Sequence, residues 1–141
     1  MKGKVQLIKV IYGKKGSGKT KKLIDTANAL AGGSKGDVVF IDDSNQLMYD
    51  LKHQVRFVNV SEFPIKGEEG FFGFLCGMIS ANYDIGSILI DGLTYIVEQK
   101  IGTLENFFKK LDYISSTNKI DFYISINGEP DVMPGYVRNY I

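Results

Sequence analysis

One cysteine, Cys76, and one histidine, His53, are present in 141 residues. A disulfide framework and a zinc site of cysteine and histidine are therefore excluded within one chain. A Ser-His-Asp or Cys-His triad would have to use His53, which stands beside Lys52 with no signature around it. Cys76 lies in an apolar stretch and reads as core; His53 reads as a surface residue at a helix end. Arginine is nearly as scarce, for only Arg56 and Arg138 stand among seventeen basic side chains. The net charge is +1 and the pI about 7.7. Domains that bind duplexes usually carry a basic stripe and a pI above about 9, so no nucleic-acid partner is expected.

Long apolar runs are missing too. A membrane span needs about 18 such residues. The longest candidate, Phe71 to Ile79, is broken by Gly73 and Gly77 and follows Glu68-Glu69. Near the start, Lys9 interrupts what would be the apolar region of a signal peptide, and no small-residue cleavage site follows. The expectation is a soluble, cytoplasmic protein without a membrane span. Apolar residues at 44% and charged residues at 23% are close to globular averages, which excludes disorder. Residues 1–141 are expected to form one domain.

Strand and helix patterns alternate along the chain. Val5 to Tyr12 is a β-branched run ending at Gly13. From Gly18 to Ala31, Leu23, Ile24, Ala27 and Leu30 recur at helical spacing, and Gly32-Gly33 closes that helix. Val38 to Ile41 is a second apolar run, followed by Asp42-Asp43-Ser44, which predicts a capped helix through about His53. Arg56 to Val60 alternates as a third strand, and Ser61 to Glu69, with Pro64 and Gly67, reads as a loop. A helix from Glu68 to about Tyr83 has Phe71, Leu75, Met78 and Ile79 on one face.

Ser87 to Ile90 is a continuous apolar run of the kind buried parallel strands show. Thr94 to Lys100 and Leu104 to Thr117 read as helices separated by Gly102, and Ile120 to Ile126 as a fifth strand. The tail from Asn127 contains Pro130 and Pro134 and ends in a helical turn or two carrying Met133, Val137 and Ile141. Such alternation predicts an α/β fold, a three-layer αβα sandwich around a mostly parallel five-stranded sheet. Gly70, Gly73 and Gly77 in a helix interior call for a packing reason, either close approach to the sheet or to a second subunit.

The chemistry is concentrated in Gly13-Lys14-Lys15-Gly16-Ser17-Gly18-Lys19-Thr20, which fits GxxxxGK followed by Ser or Thr at every fixed position. The motif must follow a strand and open a helix, and it does both here. Its glycines let the backbone N–H groups turn inward as an anion nest at the positive end of a helix. Lys19 is then placed to neutralise β- and γ-phosphates, and the Thr20 hydroxyl is a hard oxygen ligand for Mg²⁺. The neighbouring Lys21-Lys22 pair reads as a solvated helix face.

A phosphate cradle needs an acid to hold its metal. Ile88-Leu89-Ile90-Asp91 puts a carboxylate at the carboxyl end of a central strand, where open α/β sheets gather ligands. Val39-Phe40-Ile41-Asp42-Asp43 repeats the pattern; its carboxylates orient water or metal, or Asp43 or Ser44 caps the next helix. Asn127, just after the fifth strand, is a polar tip suited to sensing a γ-phosphate.

On these residues the chain resembles P-loop NTPases of the RecA-like branch. Phe40-Ile41-Asp42 matches that branch's YID-like strand end, Ile88-Leu89-Ile90-Asp91-Gly92 its Walker B, and Ile126-Asn127 its sensor strand. The resemblance implies that the Asn127 strand lies between the P-loop strand and the Asp91 strand. The chain is also similar to small bacterial ATP-binding proteins that carry a twitching-motility label, although the histidine- and acid-rich boxes of pilus retraction motors are absent.

The cofactors implied are ATP and Mg²⁺, and the partners a nucleoside triphosphate and a second copy of the chain or another protein. The activity implied is weak Mg-dependent ATP hydrolysis in a switch or assembly ATPase. Alternatives are a small-molecule kinase and a non-hydrolysing nucleotide-binding module. Two departures from the family pattern stand out. Gly92 follows Asp91 where many ATPases have a catalytic glutamate, and only Arg56 or Arg138 could serve as an arginine finger.

Overall fold

A computed structural model describes residues 7–33 and 35–141. Five strands form one parallel sheet in the order β1-β5-β4-β2-β3: β1 (Ile8–Gly13), β2 (Asp37–Asp42), β3 (Arg56–Asn59), β4 (Ile85–Ile90) and β5 (Asp121–Asn127). All five point the same way, so their carboxyl ends meet at one rim of the sheet. The expected strand began at Val5; Val5 and Gln6 lie outside the described residues. The predicted place of the Asn127 strand, between the P-loop strand and the Asp91 strand, is the place of β5.

Every position of β4 is buried, Ser87 included, which the apolar Ile88-Leu89-Ile90 anticipates for a strand covered on both faces. The layers above and below are unequal. Among the described residues, α1 (Lys19–Leu30) is the one α-helix on one face, with Leu23 and Ala27 against Val38, Phe40 and Leu89. α2 (Gly67–Ala81), α3 (Leu93–Val97) and α4 (Glu105–Asn118) cover the other face over Val39, Ile41, Ile88 and Ile124. The tail closes this larger layer as short 3-10 turns, Pro130–Val132 and Gly135–Tyr140. Val137 is buried there as expected, whereas Ile141 is 63% exposed. The Tyr136 and Tyr140 rings pack on Phe108, and their hydroxyls donate to the Ile101 carbonyl and to Asp112.

Two glycines have a clear steric reason. β2 and β4 begin where Gly36 and Gly86 cross: a Cβ on Gly36 would strike the Asp84 carbonyl, and one on Gly86 the Lys35 carbonyl. The β2–β4 register shifts at the same point, between Asp37 and Val38.

The helix predicted from Asp42-Asp43-Ser44 to His53 does not form. Bends and turns run through this segment with a single 3-10 turn, Met48–Asp50. The reason is tertiary. Asn28 on α1 donates to the Asp50 carbonyl and accepts from Lys52 N–H, so it takes backbone groups that a helix would use. Ser44 accepts from Gln46 N–H in a local turn rather than capping a helix. His53 is exposed in a turn rather than at a helix end, and Cys76 is half-buried, packed against the core edge.

The expected close approach of α2 to the sheet through its glycines is also absent. Phe71, Leu75 and Ile79 face the core, while Gly73 and Gly77 lie on the outer face, where a Cβ added to either would meet no atom within 4 Å. Glycine in a helix interior costs about 1 kcal/mol relative to alanine. Gly73→Ala and Gly77→Ala are therefore expected to raise stability by roughly 1 kcal/mol each in urea unfolding. A loss of stability, or an altered sedimentation profile, would mean instead that a second copy covers this face.

Candidate functional site

The loop between β1 and α1 turns twice through left-handed backbone, at Gly16 (φ 83°) and Gly18 (φ 89°). These conformations favour glycine, and left-handed turns of this kind are those that build anion nests from successive N–H groups. Lys14, Lys15 and Ser17 are exposed on it, and Ser17 N–H closes it onto the Lys14 carbonyl at 3.2 Å. Lys19 opens α1 and is 7% exposed. Its ammonium donates to the Lys14 carbonyl at 2.6 Å and to Ser17 Oγ at 3.4 Å, across the mouth of the loop. Burial lowers its pKa, while the nearby Asp91 and Tyr95 work in the opposite direction.

Lys19, Thr20, Asp42, Asp43, Asp91, Gly92, Tyr95, Ser125 and Asn127 line one polar cleft at the carboxyl rim of the sheet. The fold thus gathers the four separate segments whose motifs point to phosphate and metal chemistry. Thr20, at the start of α1, reaches Asp91, just past β4: its hydroxyl lies 3.2 Å from each carboxylate oxygen. Asn127 ends β5 opposite Gly13, the first residue of the loop. Beyond it, Gly128 N–H donates to the Gly13 carbonyl and the Tyr12 hydroxyl to the Glu129 carbonyl, so the segment leaving β5 is tied to the root of the loop.

Asp42 is 6% exposed and Asp43 exposed at the lip. Neither caps a helix; Asp42 instead accepts from Asp43 N–H at 2.8 Å. Burial pushes the Asp42 pKa up to about 6, and the negative charges of Asp91 and Asp43 add to the rise against that hydrogen bond. Arg56 and Arg138, the candidate arginine fingers, do not line the cleft; Arg56 begins β3, at the amino end of its strand.

Two residues of the cleft escape a reading of motifs. Ser125 is 2% exposed, accepts from Gly92 N–H at 2.8 Å and donates to Asp91 Oδ1 at 2.7 Å. Its signal is the strand's period of two, which puts it on the same side of β5 as Asn127. Tyr95, 56% exposed, stands at the rim. The structure also accounts for the glycine after Asp91. Gly92 has φ 74° and starts α3, a left-handed position in which a glutamate would be strained.

No protein-family model matches the chain, and no curated protein matches its sequence. Among solved structures with a similar fold is the flagellar accessory protein FlaH from Methanocaldococcus jannaschii, at a TM-score of 0.54 and 15% identity. The match covers 92% of this chain but only 64% of FlaH. The five-stranded parallel sheet, its strand order and this likeness make the fold RecA-like. Among the described residues, no helix is long and apolar enough to cross a membrane.

The Asp42 environment has a measurable consequence. An acid whose folded pKa lies above its unfolded value of 3.8 stabilises the fold only while protonated. That contribution is complete below about pH 4 and is lost as pH rises through about 6. Asp42→Asn keeps the oxygen that accepts from Asp43 N–H and removes the charge. It is expected to be more stable than the wild type at pH 8, by on the order of 2 kcal/mol. The two proteins should converge at pH 4, as read by urea unfolding at both pH values. A difference independent of pH would exclude the carboxylate as its source.

Proposed function

We propose that this chain binds a nucleoside triphosphate, ATP, as its magnesium complex in the rim cleft and hydrolyses it slowly, as a switch or assembly ATPase. The observation that carries the reading is the meeting of the Thr20 hydroxyl with the Asp91 carboxylate beside a glycine nest that opens α1. Together they offer hard oxygens on the side of the cleft where phosphates in the nest would end.

The donor set suits magnesium. Among the described residues, no group of three or more His, Cys, Asp or Glu side chains forms a metal cage. Magnesium needs none, because it keeps several waters and takes one or two protein oxygens plus phosphate oxygens. Thr20 and Asp91 would hold it there, where it neutralises charge on the terminal phosphate oxygens. The nest N–H groups and Lys19 bind the β- and γ-phosphates, with the Lys19 ammonium exchanging the Lys14 carbonyl for phosphate oxygen. Asn127, which ends β5 and lines the cleft, would donate to the γ-phosphate.

Slow turnover follows from what the cleft lacks. An arginine finger contributes roughly 10³ to 10⁵ in rate, and neither arginine lines this cleft. Gly92 offers no carboxylate to orient water, which leaves Asp42 and Asp43. The same absence of arginines disfavours the kinase alternative, since phosphoryl transfer to an acceptor relies on a cationic clamp.

Mg-ATP at 100 times its dissociation constant should stabilise the fold by about 2.7 kcal/mol, read as a thermal shift. Lys19→Ala should abolish most of that shift while the apo protein still folds, because its lost hydrogen bonds belong to the loop. Steady hydrolysis should stay below about one turnover per second, and Asp43→Asn should lower it further while binding survives. An unchanged shift in the lysine variant would exclude the site.

A further inference from the structure

We propose that Ser125 is the positioning residue that sets the Asp91 carboxylate for its metal, an inference that rests on the nucleotide reading above. A hydroxyl has one proton to give. Ser125 Oγ receives Gly92 N–H at 2.8 Å, so its own proton is directed to Asp91 Oδ1 at 2.7 Å. The serine is thereby clamped between the side chain of Asp91 and the peptide that follows it. Rotation of the carboxylate breaks the shorter of its two side-chain contacts and leaves a buried hydroxyl proton without an acceptor, which is costly at 2% exposure.

The second contact cannot do the same work. Thr20 lies 3.2 Å from both carboxylate oxygens, a shared and longer bond that does not choose between rotamers. It also comes from the residue whose own oxygen must turn toward the metal. Ser125 approaches from β5 and binds only Oδ1, which leaves Oδ2 with the longer Thr20 contact alone among the side-chain bonds described. The strand makes the placement rigid: β5 is paired on both edges, to β1 and to β4. A serine is otherwise a poor choice in a strand whose alternate side carries Phe122, Ile124 and Ile126, all fully buried. Among the described residues, its hydroxyl is satisfied by Asp91 and Gly92.

Outer-shell partners of metal ligands are worth roughly 10- to 100-fold in metal affinity. The test is equilibrium binding of a fluorescent ATP analogue to the full chain over a series of free Mg²⁺ concentrations, with an EDTA arm. For Ser125→Ala, the Mg²⁺ concentration giving half of the metal-dependent gain in affinity should rise at least tenfold. Affinity in EDTA should stay within about twofold of the wild type, and Ser125→Thr, which keeps the hydroxyl, should restore the Mg²⁺ midpoint. If the alanine protein does not fold, Ser125→Cys, close in size with a weaker donor, is read by the same criteria.

An unchanged Mg²⁺ midpoint would overturn the proposal while leaving wild-type nucleotide binding intact. An equal loss of affinity with and without metal would overturn it too, since that marks a merely structural residue. A wild type that binds the analogue no better with Mg²⁺ than in EDTA would instead refute the magnesium-nucleotide reading from which the proposal starts.

Discussion

The position of β5 between β1 and β4 is the constraint on which the rest depends. Neighbouring strands lie about 4.8 Å apart, so one inserted strand sets the P-loop strand and the Asp91 strand about 10 Å from each other. That gap is bridged from above, by Thr20 on the first turn of α1 reaching down to Asp91. It is also filled from within, because the end of β5 brings Ser125 and Asn127 into the same cleft. Were β5 at the sheet edge, β1 and β4 would be adjacent and neither side chain would stand between loop and carboxylate.

A second consequence is electrostatic. A parallel sheet delivers all its carboxyl ends to one rim, and here Asp42, Asp43 and Asp91 arrive together. Burial raises the Asp42 pKa first, and the charges of Asp91 and Asp43 add to the rise, so ionising all three opposes the fold. Lys19 supplies positive charge among them, yet its ammonium is held by the Lys14 carbonyl and Ser17 rather than by a carboxylate. Excess negative charge in a desolvated cleft is what a bound cation would relieve, which supports the proposed magnesium-nucleotide reading.

Packing around the rim is uneven, and the unevenness is informative. Among the described residues, three α-helices and the tail cover one face while α1 is the one α-helix on the other. The segment from β2 to β3 completes that thinner layer without an α-helix, held by Leu47, Leu51 and Val55 against the α1 side and by Asn28 gripping its backbone. The cap residues Asp42-Asp43-Ser44 predict a helix there. The hydrogen bonds that decide the matter come from a residue more than twenty positions earlier in the chain.

Periodicity and glycine placement by themselves determined the five strands, α1, α2, α4 and the two left-handed turns of the β1–α1 loop, because these are local: β-branched runs, a 3.6-residue apolar stripe, and glycines where φ must be positive. Asp91 was legible for the same reason, as a carboxylate ending an apolar run. Only the tertiary structure decided what depends on neighbours distant in sequence. It turned the outer glycines of α2 away from the sheet, replaced a predicted helix with a tethered loop, and put both arginines outside the cleft. It also gave Ser125 its importance. A serine in a strand is ordinary until the register of β5 against β4 brings its hydroxyl within 2.7 Å of Asp91. That register is set by pairing between strands more than thirty residues apart, which no local pattern encodes.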